Sequence, residues 1–117
     1  MGSATNDRRI DYVEFPAMDI AATKQFYTLV FGWSFQDYGP DYTSFSDGRL
    51  AGGFTKVESP GSGGPLVVIY ADDLHGMEAK IRAALGTIVK PIFSFPGGQR
   101  FHFTDPNGNQ LAVWSDK

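Results

Sequence analysis

The sequence predicts an α+β fold in which two βαβββ modules in one chain carry curved mixed sheets that form a cleft. The order strand, helix, strand, strand, strand occurs twice within 117 residues. Residues 58–65, ESPGSGGP, are rich in Gly, Ser and Pro, which is typical of a flexible connection between two halves. Because each module has one helix for a four-stranded sheet, one face of each sheet has to be buried elsewhere.

Module one is predicted over residues 9–57. The β-rich run RIDYVEFPA precedes DIAATKQFYTLVFG, a helix that Asp19 caps and Gly32 ends. Ala22, Phe26 and Val30 recur at helical spacing and predict the buried face of this helix. The segments WSFQDY, YTSFS and LAGGFTKV follow as strands, separated by the turn signals GPD and DG.

Module two is predicted over residues 66–117. LVVIYA is its first strand, and DDLHGMEAKIRAALG is its helix, with Gly86 as the stop. The apolar stripe of this helix consists of Leu74, Met77, Ile81 and Leu85. TIVKPIFSF, QRFHFTD and NQLAVWS are the closing strands, and Pro91 predicts that the first of them is an edge or bulged strand.

The repeat is also visible residue by residue. SFSDGRLAGGF can be laid over HFTDPNGNQLAVW if the second turn holds two extra residues. The matched pairs are Phe45 with Phe103, Asp47 with Asp105, Gly48 with Gly108, and Phe54 with Trp114.

Composition limits the possible partners. The length predicts one domain over residues 9–117, with residues 1–8 as a flexible tail. A formal net charge of −3 argues against nucleic-acid or membrane-surface binding and favours small molecules or a second copy of the chain. No cysteine is present, and the longest apolar run, LVVIYA, is far shorter than the ~20 residues of a membrane span. We therefore expect a cytoplasmic protein.

Two motifs carry a family resemblance that covers almost the whole chain. DIAATKQFYTLVFGW and FTDPNGNQLAVW resemble signatures of the vicinal oxygen chelate superfamily, which includes glyoxalase I, bleomycin-resistance proteins, fosfomycin-resistance enzymes and extradiol dioxygenases. Within it, the chain is most similar to a branch related to lactoylglutathione lyase that has no assigned reaction. The resemblance implies a glyoxalase/bleomycin-resistance-like fold and a commonly dimeric assembly.

The resemblance also implies where a metal ion would bind in this chain. The family's ligand positions fall on Tyr12, Leu66 and Ala112, with a further position at Gly52 or Gly53. Leucine, alanine and glycine side chains offer no donor atom, and a tyrosine alone rarely holds a divalent ion. The sequence therefore predicts no metal and no cofactor.

The resemblance implies that His102 points into the cleft, as the matching position does in fosfomycin-resistance relatives, and strand alternation then predicts which other side chains share that face. The candidate ligand-binding residues are Tyr12, Tyr42, Ser44, Val68, Tyr70, Arg100, Gln110 and Trp114. Ala112 shares this face, and Glu14 and His102 are the candidate catalytic groups. The mixture of aromatic walls and few polar points is typical of a small-molecule site.

Each candidate has a structural interpretation as well. Glu14 and Arg100 can neutralise each other, the aromatic residues can fill space or pack a subunit interface, and His102 can be a structural histidine. His75 is expected on the surface, and Asp105 is expected to organise its turn.

Three function classes remain open from the sequence. The first is a metal-independent protein that binds a small organic molecule in the cleft. The second is a glyoxalase-like lyase or isomerase that uses Glu14 or His102 as general base. The third is a structural or regulatory module whose cleft is closed by its own aromatic residues.

Overall fold

The structure is a computed structural model that describes residues 8, 10, 12–59 and 66–117. The chain divides into two compact units, Met1–Ser59 and Pro60–Lys117, which we call unit 1 and unit 2. Each unit contains one helix and one four-stranded mixed sheet, so the predicted class of two βαβββ modules is confirmed. The predicted tail, apart from Arg8, and residues 60–65 of the predicted linker lie outside the described residues. Within the described part, no helix is long and apolar enough to cross a membrane.

Unit 1 is built in the predicted order. Its elements are β1 Tyr12–Ala17, α1 Ile20–Phe31, β2 Ser34–Asp37, β3 Tyr42–Ser46 and β4 Ala51–Lys56. The spatial order of the strands is β1-β4-β3-β2, in which β1 runs parallel to β4 and the other pairs are antiparallel.

Helix α1 begins and ends where its sequence predicts. The Asp19 carboxylate accepts a hydrogen bond of 3.0 Å from the Ala22 backbone N–H, and Gly32 closes the helix at a φ of 73° that favours glycine. The Tyr27 ring is fully buried and lies 5.2 Å from the Phe54 ring of the sheet, centroid to centroid. This aromatic packing covers the sheet face that carries Phe45 and Phe54 and leaves the other face without a helix.

Unit 2 repeats this topology. Its elements are β5 Val67–Tyr70, α2 Leu74–Ala83, β6 Thr87–Phe95, β7 Gly98–Thr104 and β8 Gln110–Ser115. The strand order is β5-β8-β7-β6, and β5 runs parallel to β8. Helix α2 packs on β6, β7 and β8. On the covered face of the two central strands, the side chains of Phe101, Phe103, Leu111 and Val113 are fully buried.

The C-terminus of α2 departs from the prediction. The helix ends at Ala83, and Leu85 takes the left-handed conformation with a φ of 72°, while the Gly86 N–H donates to the Ile81 carbonyl at 2.9 Å. The Leu85 side chain is 85% exposed, so its assignment to the buried stripe was wrong. Leu85 leaves the helical stripe because the left-handed residue that ends the helix is Leu85 itself, one position before Gly86.

Strand β6 is both an edge strand and irregular, as Pro91 predicted. Its pairing with β7 shifts register between Ile88 and Lys90 and again between Lys90 and Phe93. A proline cannot donate to the ladder, so a bulged edge is where it can be accommodated.

Strand pairing shows which positions of the two units are equivalent. Phe45 pairs with Gly52 in unit 1, and its counterpart Phe103 pairs with Leu111 in unit 2, so Gly52 and Leu111 are equivalent. Two residues further along these strands, Phe54 is therefore equivalent to Val113. The predicted match of Phe54 with Trp114 was therefore wrong by one residue. The turn acids do correspond, because Asp47 and Asp105 each accept two backbone N–H bonds through one carboxylate oxygen.

Candidate functional site

Each sheet has one face that its helix leaves uncovered, and the predicted site residues fall on these two faces. We call them the open face of unit 1 and the open face of unit 2. The open face of unit 1 carries Tyr12, Glu14, Tyr42 and Ser44, with Gly53 between them. The open face of unit 2 carries Val68, Tyr70, Arg100, His102, Gln110, Ala112 and Trp114. The predicted alternation of these strands is therefore observed within each unit.

A directed chain of hydrogen bonds joins three side chains on the open face of unit 1. The Tyr42 hydroxyl donates to Glu14 Oε2 at 2.9 Å, and the Tyr12 and Tyr42 hydroxyl oxygens lie 2.5 Å apart. Since a phenol has one hydrogen and that of Tyr42 goes to the carboxylate, Tyr12 donates to Tyr42. Burial, together with Tyr12 and Glu14, raises the pKa of Tyr42 far above its usual range, so this donor stays protonated.

Gly53 makes room for this chain of hydroxyl groups. A Cβ atom at Gly53 would contact the Tyr42 hydroxyl and would lie 2.8 Å from the Tyr12 hydroxyl oxygen. At Gly52, which belongs to the covered face, a Cβ atom would instead contact the Val13 carbonyl and the Phe45 ring. The two adjacent glycines therefore serve different faces of the same strand.

A depression of about 510 Å³ lies on unit 1 beside Tyr12. Its lining is mostly uncharged and polar and consists of Tyr12, Ser34, Phe35, Gln36, Tyr38, Ser44, Phe45, Ser46 and Ala51. This volume is within the range of small-molecule sites, about 300–1,000 Å³.

Arg100 dominates the open face of unit 2. Its guanidinium carbon lies 5.4 Å from the centre of the Phe93 ring and 5.6 Å from that of Phe95. Among the residues that the structure describes, the buried Arg100 Nε has no hydrogen-bond partner. A buried donor without a partner is unusual and is a reason to look for a ligand.

His102 lies two residues further along the same strand and also has an unused donor. The Gln110 amide nitrogen lies 3.1 Å from His102 Nδ1, and since an amide nitrogen only donates, Nδ1 accepts and the neutral ring carries its hydrogen on Nε2. Nε2 is buried and without a partner in the described part of the chain. Burial, with Arg100 and Lys90 nearby, lowers the pKa of His102 below 6.5 and keeps the ring neutral at pH 7.

Aromatic rings border these two donors. The Tyr70 and Trp114 rings meet edge to face at 5.3 Å, and Trp114 also lies 6.4 Å from Phe95. The Tyr70 hydroxyl is within hydrogen-bond distance of Asp116 and Asp72, which raises its pKa to about 12. Tyr70 therefore offers apolar ring area to this face, while its hydroxyl is already engaged.

Lys90, Phe93 and Phe95 lie beside Arg100 and His102 and were missed by sequence reasoning as candidate site residues. Lys90 pairs with His102 and Phe93 pairs with Arg100, so both lie on the open face although they are three residues apart. Strict alternation along TIVKPIFSF would put Lys90 and Phe93 on opposite faces of the sheet. The bulge between them adds one residue to β6, so both side chains lie on the same face. Pro91 signalled the bulge, but the sequence did not fix its position.

The candidate metal positions do not fit a metal. On unit 1, the space beside Gly53 is taken by the hydroxyl groups of Tyr12 and Tyr42. On unit 2, Leu66 and Ala112 provide no donor side chain. No group of three or more His, Cys, Asp or Glu side chains suited to a metal ion occurs among the described residues.

Two predicted structural roles are observed. His75 is exposed in the first turn of α2. Asp105 Oδ1 accepts from the backbone N–H groups of Asn107 and Asn109, both at 2.9 Å, and so organises the turn before β8. Neither residue belongs to an open face.

Comparison with known families gives a match over nearly the whole chain. A family model described as the Glyoxalase/Bleomycin resistance protein/Dioxygenase superfamily matches residues 9–113. A crystal structure of a glyoxalase/bleomycin resistance protein/dioxygenase family enzyme from Burkholderia phytofirmans PsJN aligns with a TM-score of 0.81 and 22% identity. The alignment covers 92% of this chain and 100% of that one, which establishes a shared fold.

Curated relatives are similar in sequence but longer. The putative glyoxylase CFP32 of Mycobacterium tuberculosis is 28% identical over 115 residues, which cover 89% of this chain and 44% of the relative. The anthracycline biosynthesis protein DnrV of Streptomyces peucetius is 32% identical, with 82% of this chain and 42% of the relative covered. The chain thus spans less than half the length of these relatives.

Proposed function

We propose that this chain, which belongs to the glyoxalase/bleomycin resistance protein/dioxygenase superfamily, is a metal-independent binder of a small organic molecule. The ligand is planar or partly aromatic, carries an anionic or carbonyl group, and binds on the open face of unit 2. Arg100 and His102 hold its oxygen atoms, and the surrounding rings hold its apolar part.

The single observation that carries this proposal is the pair of buried donors. Arg100 Nε and His102 Nε2 lack partners in the described residues, and both belong to alternate positions of β7, on one face. Leaving a buried donor unsatisfied costs about 1–3 kcal/mol. Carboxylate and carbonyl oxygens are acceptors for donors of this kind, and the Lys90 ammonium, 4.3 Å from the Phe93 ring centre, adds positive charge on the same face.

The rings around Arg100 support a flat ligand. Phe93, Phe95, Tyr70 and Trp114 offer apolar area with few rotatable bonds, which suits a planar molecule. The name of the relative DnrV, an anthracycline biosynthesis protein, points in the same direction, since anthracyclines are fused-ring compounds. The remaining predicted ligand contacts of this face, Val68 and Gln110, fit the proposal as an apolar edge and as the partner of His102.

Metal independence rests on the side chains at the family's ligand positions. The two tyrosine hydroxyls beside Gly53 and the alkyl side chains of Leu66 and Ala112 do not form a ligand set. A metal that bound the folded protein at 100 times its dissociation constant would stabilise it by about 2.7 kcal/mol. We expect no such stabilisation by zinc, nickel, manganese or iron in thermal melts, and one tightly held equivalent by elemental analysis would contradict the proposal.

An enzymatic role, as a lyase or isomerase, is the second candidate. His102 suits it poorly as a general base, because Nδ1 already accepts from Gln110 and Nε2 carries the hydrogen. Glu14 keeps one carboxylate oxygen besides the one that accepts from Tyr42, so it is the better candidate base. Turnover of a bound ketone or thioester would favour this role, whereas saturable binding without change favours the first.

We also propose a cytoplasmic homodimer. Val68 and Tyr70 are 45% and 44% exposed on unit 2, and Leu29 is 61% exposed on α1, so apolar area remains available to a second copy. Among these residues, Tyr70 is the aromatic side chain that the alternative of a packed subunit interface concerns. A monomeric mass in solution at micromolar concentration would contradict the dimer.

The binding proposal is tested by a screen of small carboxylates and ketones against the wild type and Arg100→Ala. Hits are expected to raise the melting temperature of the wild type and of Arg82→Ala, a control in which the exposed arginine of α2 is removed. They are expected to have little effect on Arg100→Ala. Equal shifts in all three proteins would refute the assignment of Arg100.

A further inference from the structure

The open face of unit 1 has a chemistry opposite to that of unit 2. Its hydrogen-bond chain runs from Tyr12 to Tyr42 to Glu14, so the single hydrogen of each phenol is already used within the chain. What remains available at the Tyr12 oxygen is a lone pair, and the Tyr12 side chain is 44% exposed. The exposed Glu14 carboxylate adds a second acceptor. This face is therefore prepared to accept hydrogen bonds.

The lining of the neighbouring depression indicates which class of ligand this face suits. Ser34, Gln36, Ser44 and Ser46 provide uncharged groups that both donate and accept. The rings of Tyr12 and Tyr38 lie at the same depression and are partly exposed, at 44% and 59%. Uncharged polar groups beside exposed aromatic rings suit a molecule that has hydroxyl groups on its edge and C–H groups on its face.

We propose that the open face of unit 1 is a binding site for a sugar-like group, held through its hydroxyl or protonated amine donors by Tyr12 and Glu14. The ring of the sugar lies against the tyrosine rings in the depression. An anionic sugar is disfavoured because it would meet the Glu14 carboxylate and an acceptor oxygen instead of donors. The proposal does not depend on the anion site of unit 2, since every residue in it belongs to unit 1.

Gly53 is the residue that permits this site. Without a side chain at position 53, the Tyr42 phenol lies across β4 and reaches both Glu14 and Tyr12 on β1. The raised pKa of Tyr42 keeps its hydroxyl protonated, so the direction of the chain and the free acceptor at Tyr12 persist across neutral pH.

The test is a titration of the full chain with glucose, glucosamine and glucuronate, followed by backbone amide NMR shifts. These three sugars share one ring and differ in carrying a neutral, a cationic or an anionic group. We expect shifts in β1, β3 and β4, with glucosamine bound at least about fivefold more tightly than glucuronate. Glu14→Gln should remove this preference, and Tyr12→Phe should weaken glucosamine binding at least about fivefold.

Glu78→Gln is the matched control for Glu14→Gln, because it removes a carboxylate from α2 of unit 2 and should leave sugar binding unchanged. The dispersion of the amide spectrum reports whether each variant is folded. The proposal is overturned if glucuronate binds best, if both Tyr12→Phe and Glu14→Gln leave binding unchanged, or if no sugar shifts unit 1 resonances at about 100 mM. Binding of an aromatic carboxylate on unit 2, measured separately, distinguishes failure of this site from failure of the anion site.

Discussion

The two open faces share one topology but differ in hydrogen-bonding character. Tyr42 of unit 1 and Arg100 of unit 2 occupy equivalent positions. Tyr42 pairs with Thr55 on the last strand of unit 1, and Arg100 pairs with the equivalent residue, Trp114, on the last strand of unit 2. Tyr42 has a carboxylate partner in Glu14, whereas the position equivalent to Glu14 in unit 2 is Val68. An acid on one sheet satisfies the central donor, and its absence on the other leaves Arg100 Nε unpaired. The comparison teaches that the residue on the first strand of a module decides whether the central donor of its open face is satisfied within the sheet.

The largest expected effect on ligand affinity comes from a substitution that gives the open face of unit 2 a carboxylate like that of unit 1. Val68→Glu would place a carboxylate at the position from which Glu14 reaches Tyr42, and we expect it to pair with Arg100. Binding of an aromatic carboxylate should then weaken at least about tenfold, equivalent to about 1.4 kcal/mol. Calorimetric titration measures the change.

Val68→Gln is the control for this substitution, because it has a similar shape and no charge. Val68 is 45% exposed, so both variants should fold. Equal affinity in the Glu and Gln variants would show that Arg100 is not the group that holds the anion.

The second prediction separates the two faces within one strand. Gly52→Ala would press a Cβ atom against the Val13 carbonyl and the Phe45 ring, and should lower the free energy of unfolding by about 3 kcal/mol. Gly53→Ala would meet the hydroxyl groups of Tyr42 and Tyr12 and the ring carbon that bears the Tyr42 hydroxyl. These atoms are the far ends of side chains that can move, so the substitution should cost about 1 kcal/mol. Urea denaturation measures both, and a larger loss for Gly53→Ala would contradict this reading of the strand.

The third prediction concerns the hydrogen on His102. In the wild type, ¹⁵N NMR of the ring should show the Nε2–H form, because Gln110 donates to Nδ1. Gln110→Glu replaces the donor with an acceptor, so the ring should change to the Nδ1–H form and anion binding should weaken. Gln110→Met, which removes the hydrogen bond without adding charge, should show a mixture of both forms. An unchanged ring spectrum in both variants would exclude Gln110 as the residue that determines which ring nitrogen of His102 carries the hydrogen.

The fourth and smallest effect is on stability against pH. The folded-state pKa of His102 is lowered by burial and by Arg100 and Lys90, whereas the unfolded chain titrates near 6.5. Below about pH 6.5 the unfolded state therefore binds the proton first, and stability falls as the pH drops toward the folded pKa. The decrease in the free energy of unfolding between pH 7 and pH 5 should be smaller in His102→Gln, and an equal decrease would contradict it.

The fold could be predicted from the sequence because its signals are local. Asp19 and Gly32 bound α1 through caps, and alternation placed Arg100 and His102 opposite Phe101 and Phe103. The prediction failed where the backbone geometry is not set by residue type alone. Leu85 takes a left-handed conformation that is usual for glycine.

The candidate site was predicted less completely than the fold. Its members on regular strands, such as Tyr12, Glu14 and Tyr42, follow from a period of two. Phe93 and Lys90 were missed because two register shifts in β6 change the phase of that period. The directions of the hydrogen bonds, and hence which face accepts and which donates, depend on contacts between strands that no single segment contains.

The central claim is that Arg100 is available for a ligand anion and does not serve an internal acid. Calorimetric titration of 2-naphthoate, a planar aromatic carboxylate, into the wild type and Arg100→Ala tests it most directly. We predict saturable binding to the wild type, at least about tenfold weaker binding to the variant, and a loss of unfolding free energy of no more than about 1 kcal/mol. Equal affinity for both proteins, or a loss of about 3 kcal/mol or more, as expected when a buried carboxylate loses its partner, would contradict it.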